Sequence, residues 1–218
     1  MAHQLTFDWP VGVALGDEDF FVAAPNREAY AMVGAPAAWP QGKLVLTGPE
    51  GSGKSHLARV LAARADARIV AAGDLPDDLR PDGAVVVEDA DRLPRAREEA
   101  LFHLHNHMVA HRLPLLLTAR SLPARWDVAL PDLASRMQAT TPASIAAPDD
   151  ALLQAVLMKL FADRQILPPP GVVSYLAARI ERSFAAAQRI VAALDAMALQ
   201  HKRAITVKLA AQVLDSPA

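Results

Sequence analysis

Between residues 20 and 148 the chain alternates short, unbroken apolar runs with longer stretches in which apolar positions recur every three or four residues. The runs at 44–47, 68–71, 84–88 and 113–118 lack the apolar–polar alternation of a strand with one wet face. They predict strands buried on both faces of a parallel sheet. A short run at 144–146 predicts a fifth strand. Helices are predicted over 54–65 and 94–111. Such alternation implies right-handed crossovers and a ligand site beyond the carboxyl ends of the strands. After Pro148 the strands stop. Four amphipathic or apolar helical stretches follow, at 151–165, 171–182, 183–201 and 207–214, with Pro168-Pro169-Pro170 between the first two and Thr206 placed to cap the last. The first 19 residues carry neither period and read as a flexible arm. The predicted organisation is therefore an arm over 1–19, an α/β subdomain over 20–148 and a small all-α subdomain over 149–218.

Composition narrows the class. Of 218 residues 52% are apolar, enough to fill a core and too many for a disordered chain. The formal charge is −2 and the pI about 6.4. A protein that binds duplex DNA by itself carries a basic surplus to displace phosphate counterions, so direct sequence-specific DNA binding is not expected. There are no cysteines, which excludes a disulfide-stapled domain and a thiolate metal site. The N-terminus lacks the basic start and apolar run of a signal peptide, and no apolar stretch approaches the ~20 residues that span a bilayer. The expectation is a soluble cytoplasmic protein without membrane contact.

Gly48-Pro49-Glu50-Gly51-Ser52-Gly53-Lys54-Ser55 satisfies G-x-x-x-x-G-K-S, and it follows a predicted buried strand and opens a predicted helix. Glycines in such a loop turn successive backbone N–H groups inward onto phosphate oxygens, and the helix adds the positive end of its dipole. Lys54 would reach the β- and γ-phosphates, and the Ser55 hydroxyl would ligate Mg²⁺. Gly48, Pro49, Gly51, Ser52, Gly53, Lys54, Ser55 and His56 are the predicted nucleotide contacts here. A phosphate loop needs a carboxylate on a neighbouring strand end. Val85-Val86-Val87-Glu88-Asp89 supplies two, with Glu88 as the metal-side acid and Asp89 as the acid that polarises water. His103, His107 and His111 recur every four residues and read as an exposed polar helical face rather than a metal site.

These features resemble the AAA+ proteins, and among them the DnaA replication-initiator branch and its Hda group of shortened relatives. The phosphate loop carries the superfamily resemblance. Phe20-Phe21-Val22-Ala23-Ala24-Pro25-Asn26-Arg27 is similar to the DnaA segment that lies against the adenine ring, which implicates Asn26 and Arg27. Leu130-Pro131-Asp132-Leu133-Ala134-Ser135-Arg136-Met137 resembles the family's arginine-finger box. The resemblance covers residues 20–214 and implies an AAA+ P-loop core with a parallel five-stranded sheet flanked by helices, followed by a helical lid. It implies bound ADP or ATP with Mg²⁺, and it makes Arg136 a finger that enters the nucleotide site of another AAA+ subunit, a second copy of itself included. His3-Gln4-Leu5-Thr6-Phe7-Asp8-Trp9 is similar to the sliding-clamp-binding peptide of the Hda group, which makes Gln4, Leu5, Phe7 and Trp9 candidate anchors. Full-length initiators continue into a helix-turn-helix domain, whereas only Asp215-Ser216-Pro217-Ala218 follows Leu214; such a domain is not expected here.

Two positions depart from the DnaA pattern. Thr-Ser-Asp after the fourth strand is Thr118-Ala119-Arg120 here: Thr118 still suits a γ-phosphate sensor, but the acid is gone. The lid arginine position falls on Ala185 if Glu181-Arg182 marks the preceding pair, with Arg189 one turn later. The reversed order Glu88-Asp89, together with these changes, suits weak hydrolysis by the chain itself. The functional expectation is a regulator that docks on the DNA polymerase sliding clamp and stimulates ATP hydrolysis by the DnaA initiator, so repressing re-initiation. The alternative is an autonomous ATPase of helicase-loader type that acts on a protein or single-stranded DNA.

Overall fold

The computed structural model describes residues 20–215. Five strands form one sheet: β1 (Lys43–Thr47), β2 (Arg68–Ala71), β3 (Val85–Glu88), β4 (Leu115–Ala119) and β5 (Pro142–Ser144), in the order β2-β3-β4-β1-β5 with every pair parallel. The helices are α1 (Arg27–Val33), α2 (Lys54–Ala65), α3 (Glu98–His111), α4 (Pro131–Gln138), α5 (Asp150–Ala162), α6 (Pro170–Ala177), α7 (Phe184–His201) and α8 (Val207–Asp215).

Alternating side chains on the central strands feed two layers, because successive residues of a strand point to opposite faces. Leu44, Leu46, Val86 and Leu116 pack with Leu57 and Leu61 of α2 and with Ala29 and Val33 of α1. Val45, Val87, Leu115 and Leu117 pack on the other face with Leu101, Leu104 and Met108 of α3 and Leu133 and Met137 of α4. A third core lies wholly within α5–α8, around Leu157, Phe161, Leu176, Val191 and Leu194. Three of its helices, α5, α7 and α8, begin on side-chain caps, and α6 begins at Pro170 without one. Asp149 accepts from the Leu152 N–H at 2.8 Å, Ser183 from the Ala186 N–H at 3.1 Å and Thr206 from the Leu209 N–H at 3.2 Å.

Connections run from β1 toward β2 on one side and from β4 to β5 on the other. The chain therefore reverses its strand order at β1, and the crevice that such a reversal opens lies at the carboxyl end of that strand.

The predicted elements need adjustment in places. β2 is an edge strand whose burial runs exposed, half-buried, buried, exposed, not a strand covered on both faces. β5 pairs over Pro142–Ser144, two residues earlier than predicted. Proline lacks a donor but is admissible on an edge, and the Val45 N–H bonds the Thr141 carbonyl just before it. β4 starts at Leu115, after Pro114, and the helix predicted from Pro94 starts at Glu98 behind a 3₁₀ turn over Arg95–Arg97. α6 stops at Ala177 rather than at 182. The short helices α1 and α4 are additional; the finger box lies on α4.

Candidate functional site

β1 ends at Thr47, and the loop 48–53 carries the chain into α2 at Lys54. Gly51 (φ 76°) and Gly53 (φ 93°) occupy the left-handed region, where a side chain is strained. Space matters as much as angle. A Cβ on Gly53 would lie 2.9 Å from Phe20 Cε2, and one on Gly51 would lie 2.5 Å from Gln188 Nε2 of α7. Lys54 is buried, and its ammonium donates to the Gly48 carbonyl at 2.8 Å and the Pro49 carbonyl at 2.9 Å. Burial pushes its pKa down, and Arg120 adds to that; Asp89, Asp91 and Glu50 pull the other way. The Ser52 hydroxyl is buried inside the loop without a hydrogen-bond partner. Ser55 is exposed in the first turn of α2.

The strand ends beside the loop carry the acids. Glu88 closes β3, half-buried, and its Oε1 is buried with no partner. Asp89 follows, exposed and left-handed at φ 55°, a conformation that aspartate tolerates better than most residues. Thr118 of β4, 1% exposed, accepts the Asp89 N–H on its hydroxyl at 3.1 Å and so ties the two strand ends together. Asp91 was not singled out in the sequence. Its Oδ2 accepts the Arg120 N–H at 3.0 Å while Oδ1 is buried and unpartnered. Arg120, in turn, meets Glu50 Oε2 at 2.8 Å with Nη1.

A cleft of about 690 Å³, part open to solvent, adjoins the loop. Phe20, Phe21 and Asn26 line it on one side, Gly51–Gly53 and His56 on the second, and Leu152, Val156, Lys159, Phe184 and Gln188 of α5 and α7 on the third. Phe20 stacks on Tyr30 and on His56, with ring centroids 5.7 and 5.5 Å apart. Asn26 is buried and shapes the segment: its Oδ1 accepts from the Ala23 N–H at 2.7 Å and its Nδ2 donates to the Phe21 carbonyl at 2.9 Å. Arg27 is exposed and lies outside the cleft lining. Ala185 and Arg189 are not in the lining either; Gln188 is the polar side chain that α7 turns toward the loop. Phe184 and Gln188 stand four apart on one helical face, a spacing hidden in the sequence by the alanine run between them.

Arg136 sits elsewhere. It is half-buried on α4, its guanidinium 4.9 Å from the centre of the Phe102 ring, and it pairs with no carboxylate among the described residues. Burial first depresses the pKa of Lys43, the first residue of β1, and of His105 on α3, and the charge of Arg136 adds in the same direction at both. Lys43 and Gly48 are separated by the whole of β1, on the order of 15 Å. Thr140 donates to the Arg136 carbonyl at 2.9 Å, and the next residue, Thr141, accepts the Val45 N–H near the start of β1, so the arginine lies toward the end of the sheet opposite its own phosphate loop.

Gln4, Leu5, Phe7 and Trp9 lie outside the described residues. Among those described, no helix is long and apolar enough to cross a membrane, and no group of three His, Cys, Asp or Glu could hold a metal ion. His107 Nε2 donates to the Pro81 carbonyl at 2.8 Å and its ring packs on His111, while His105 is buried away from them.

No protein-family model and no curated protein matches the sequence. Solved structures do match in fold. Domain III of the Thermotoga maritima replication initiation protein DnaA superposes with a TM-score of 0.73 at 16% identity, over 90% of this chain and 93% of that one. AMPPCP-bound DnaA from Aquifex aeolicus gives 0.64 at 16% identity over 83% of this chain, which spans 63% of that longer protein. The Thermotoga maritima RuvB Holliday junction branch migration motor gives 0.62 at 16% identity over 89% and 69%. The fold is the one these structures share, a five-stranded parallel sheet flanked by helices, followed by the helices α5–α8.

The residues fit a nucleotide and its cation. The loop offers glycine backbone, a buried orphan hydroxyl on Ser52 and the Lys54 ammonium; the cleft offers aromatic and apolar walls. Mg²⁺ takes one or two protein oxygens together with phosphate oxygens and water, and Ser55 with the unpartnered Oε1 of Glu88 suits that pattern.

Proposed function

We propose that this chain is an adenine-nucleotide-binding AAA+ regulator that presents Arg136 to ATP held by a different subunit, the DnaA initiator, while Gln4, Leu5, Phe7 and Trp9 hold it on the DNA polymerase sliding clamp. The observation that carries the reading is the position of Arg136: at the far end of β1 from its own loop, on an aromatic ring, and unpaired with any described acid. A guanidinium so placed cannot serve its own nucleotide but remains available at the surface to a neighbour.

In the chain's own site, Gly51–Ser55 and Lys54 would hold the phosphates, Phe20, Asn26 and Phe184 would enclose the base, and Ser55 with Glu88 would hold Mg²⁺. The bound cation would neutralise phosphate charge and orient the terminal group. Asp89 and Thr118 stand where a water could be oriented. Asp89 is exposed rather than enclosed, in keeping with weak hydrolysis by the chain alone.

In trans, the arginine would neutralise charge that develops on the transferred phosphoryl group, a contribution of ~10³–10⁵ in rate. The test is ATP hydrolysis by DnaA with DNA-loaded clamp and this protein, intact or as Arg136→Ala. The intact chain should accelerate hydrolysis and the variant should return it to the unstimulated rate. Equal acceleration by both overturns the mechanism. Strong turnover by the purified chain without clamp or DnaA would favour an autonomous helicase-loader-type ATPase instead.

A further inference from the structure

The loop's cations do not end with Lys54. We propose that Arg120 is a phosphate ligand of this chain's own nucleotide site, parked on Glu50 and transferred to the terminal phosphate when a nucleoside triphosphate binds. The proposal rests on the reading of the loop as a nucleotide site and names a residue that the sequence pattern marked only as the loss of an acid.

Three observations carry it. The first is position. β4 lies beside β1 with Ala119 in register with Thr47, so Arg120 and Gly48 leave the sheet side by side. The Gly48 N–H also donates to the Ala119 carbonyl at 3.3 Å. The base of Arg120 is fixed, because Asp91 Oδ2 accepts its backbone N–H at 3.0 Å. Only the long side chain is then free to choose a partner.

The second is the partner it has. Nη1 stands 2.8 Å from Glu50 Oε2, and the two side chains are 36% and 64% exposed. An ion pair this wet contributes little, roughly 0–1 kcal/mol. Glu50 is at the tip of the phosphate loop, so the arginine already rests on the element that would embrace the phosphates. A guanidinium prefers the fork geometry of a phosphate, which a single monodentate carboxylate contact does not satisfy.

The third is what the site would otherwise lack. Ser52 Oγ, in a residue 4% exposed, is aimed into the loop with no partner, which marks a polar ligand there. Against a triphosphate the loop supplies one ammonium, and α7 turns Gln188 rather than a cation toward it. Lys159 reaches the cleft from α5, on the base side with Phe21 and Leu160. Arg120 is close enough to the Lys54 ammonium to help depress its pKa, so both cations view the same space.

The measurement is equilibrium binding of ADP and of a non-hydrolysable ATP analogue to the full chain, compared among wild type, Arg120→Ala and Glu50→Gln. Arg120→Ala should weaken the triphosphate analogue about 10–100-fold, the value of one charge-assisted bond, and ADP less than about 3-fold. Glu50→Gln, which removes the competing carboxylate, should tighten the triphosphate about 2–5-fold. An Arg120→Ala chain that binds both nucleotides as wild type does, or loses both equally, overturns the assignment, as does a Glu50→Gln chain with weakened triphosphate binding. If Arg120→Ala fails to fold, the direction of the Glu50→Gln change decides alone. A wild-type chain that binds neither nucleotide overturns the nucleotide-site reading itself; wild-type binding with an indifferent Arg120→Ala overturns only the arginine.

Discussion

Two lysines mark the two ends of β1, and their surroundings differ in sign. Both are buried, and burial is the first cause of depression of each pKa. Lys54, past the carboxyl end, is pushed further down by Arg120 but supported by Asp89, Asp91 and Glu50, and two carbonyls accept its hydrogens. Lys43, at the amino end, has no such support. The next influence on it is Arg136, of the same charge, and its partner is the His105 ring, with Nε2 2.8 Å from the ammonium. A lysine has donors only, so that ring nitrogen accepts and the imidazole is neutral. The loop end is thus a compensated cluster, arranged so that a cation sits among acids and carbonyls and can meet an anion. The opposite end carries surplus positive charge. Arg136 there is half-buried, with its guanidinium over the Phe102 ring. Under the proposed function, one strand holds apart Lys54, which would serve this chain's own nucleotide, and Arg136, which would serve another subunit's.

The sharpest way to break this contrast is to remove each lysine in turn. Lys54→Ala should weaken ATP-analogue binding about 100-fold or more, since two charge-assisted bonds at roughly 1.5–3 kcal/mol each are lost. Lys43→Met, at the other end of the same strand, should leave that affinity within about 2-fold, because on the order of 15 Å of β1 intervene. Titration calorimetry of both variants measures the difference. Comparable losses would mean that the two ends do not divide the work.

The amino end makes its own prediction, in acid. His105 is lowered to about 4, chiefly by burial and next by Lys43, with Arg136 in the same direction and the Asn106 side chain opposing. Its ordinary value is about 6.5. Between those two values the unfolded chain takes up a proton that the folded chain refuses, so protonation draws the protein toward unfolding. This stability is fully present above about pH 6.5 and is lost as pH falls toward 4, by roughly 3 kcal/mol at most. His105→Gln keeps an acceptor for Lys43 but cannot titrate. Urea melts at pH 7 and pH 4.5 should show a smaller acid loss for the variant than for wild type. Parallel losses would place the acid sensitivity elsewhere.

How much of this was legible beforehand depends on how far each feature reaches in sequence. β1, β3 and β4 announced themselves because they are central, and a strand covered on both faces must be apolar throughout. β2 and β5 are edges, where one side chain in two meets water or a proline can sit, and there the apolar run misstates burial or register. α1 and α4 are two turns long, too short for a 3.6-residue period to repeat. In the candidate site, Lys54, Thr118 and Glu88 are legible as candidates because the loop motif and the strand ends are local patterns. Asp91, Gln188 and the Lys43–His105 pair are not. Lys43 and His105 are 62 positions apart, and Gln188 meets Gly51 only through the rotation of α7 against the loop. No local spacing encodes such pairings; they arise from how the layers stack.

The smallest effect concerns the bond that joins the strand ends at the compensated cluster. Thr118 is sealed in β4, and its hydroxyl is the acceptor for the Asp89 N–H in a residue held at φ 55°. Valine has the same shape without the acceptor. Thr118→Val should cost about 1 kcal/mol, a fall in melting temperature of roughly 2–4 °C for a chain of this size. The consequence should be local: amide exchange at Asp89 should accelerate, while the Lys43–His105 end, which meets β4 at Leu115, three residues before Thr118, keeps its protection. Because Asp89 is one of the acids that support Lys54, a loosened Asp89 should also relax the balance around that ammonium and weaken triphosphate binding a few-fold. Unchanged exchange at Asp89 would mean that the left-handed turn is set by its own backbone. Thr118 would then be packing in the core rather than a tether between the sheet and the phosphate loop.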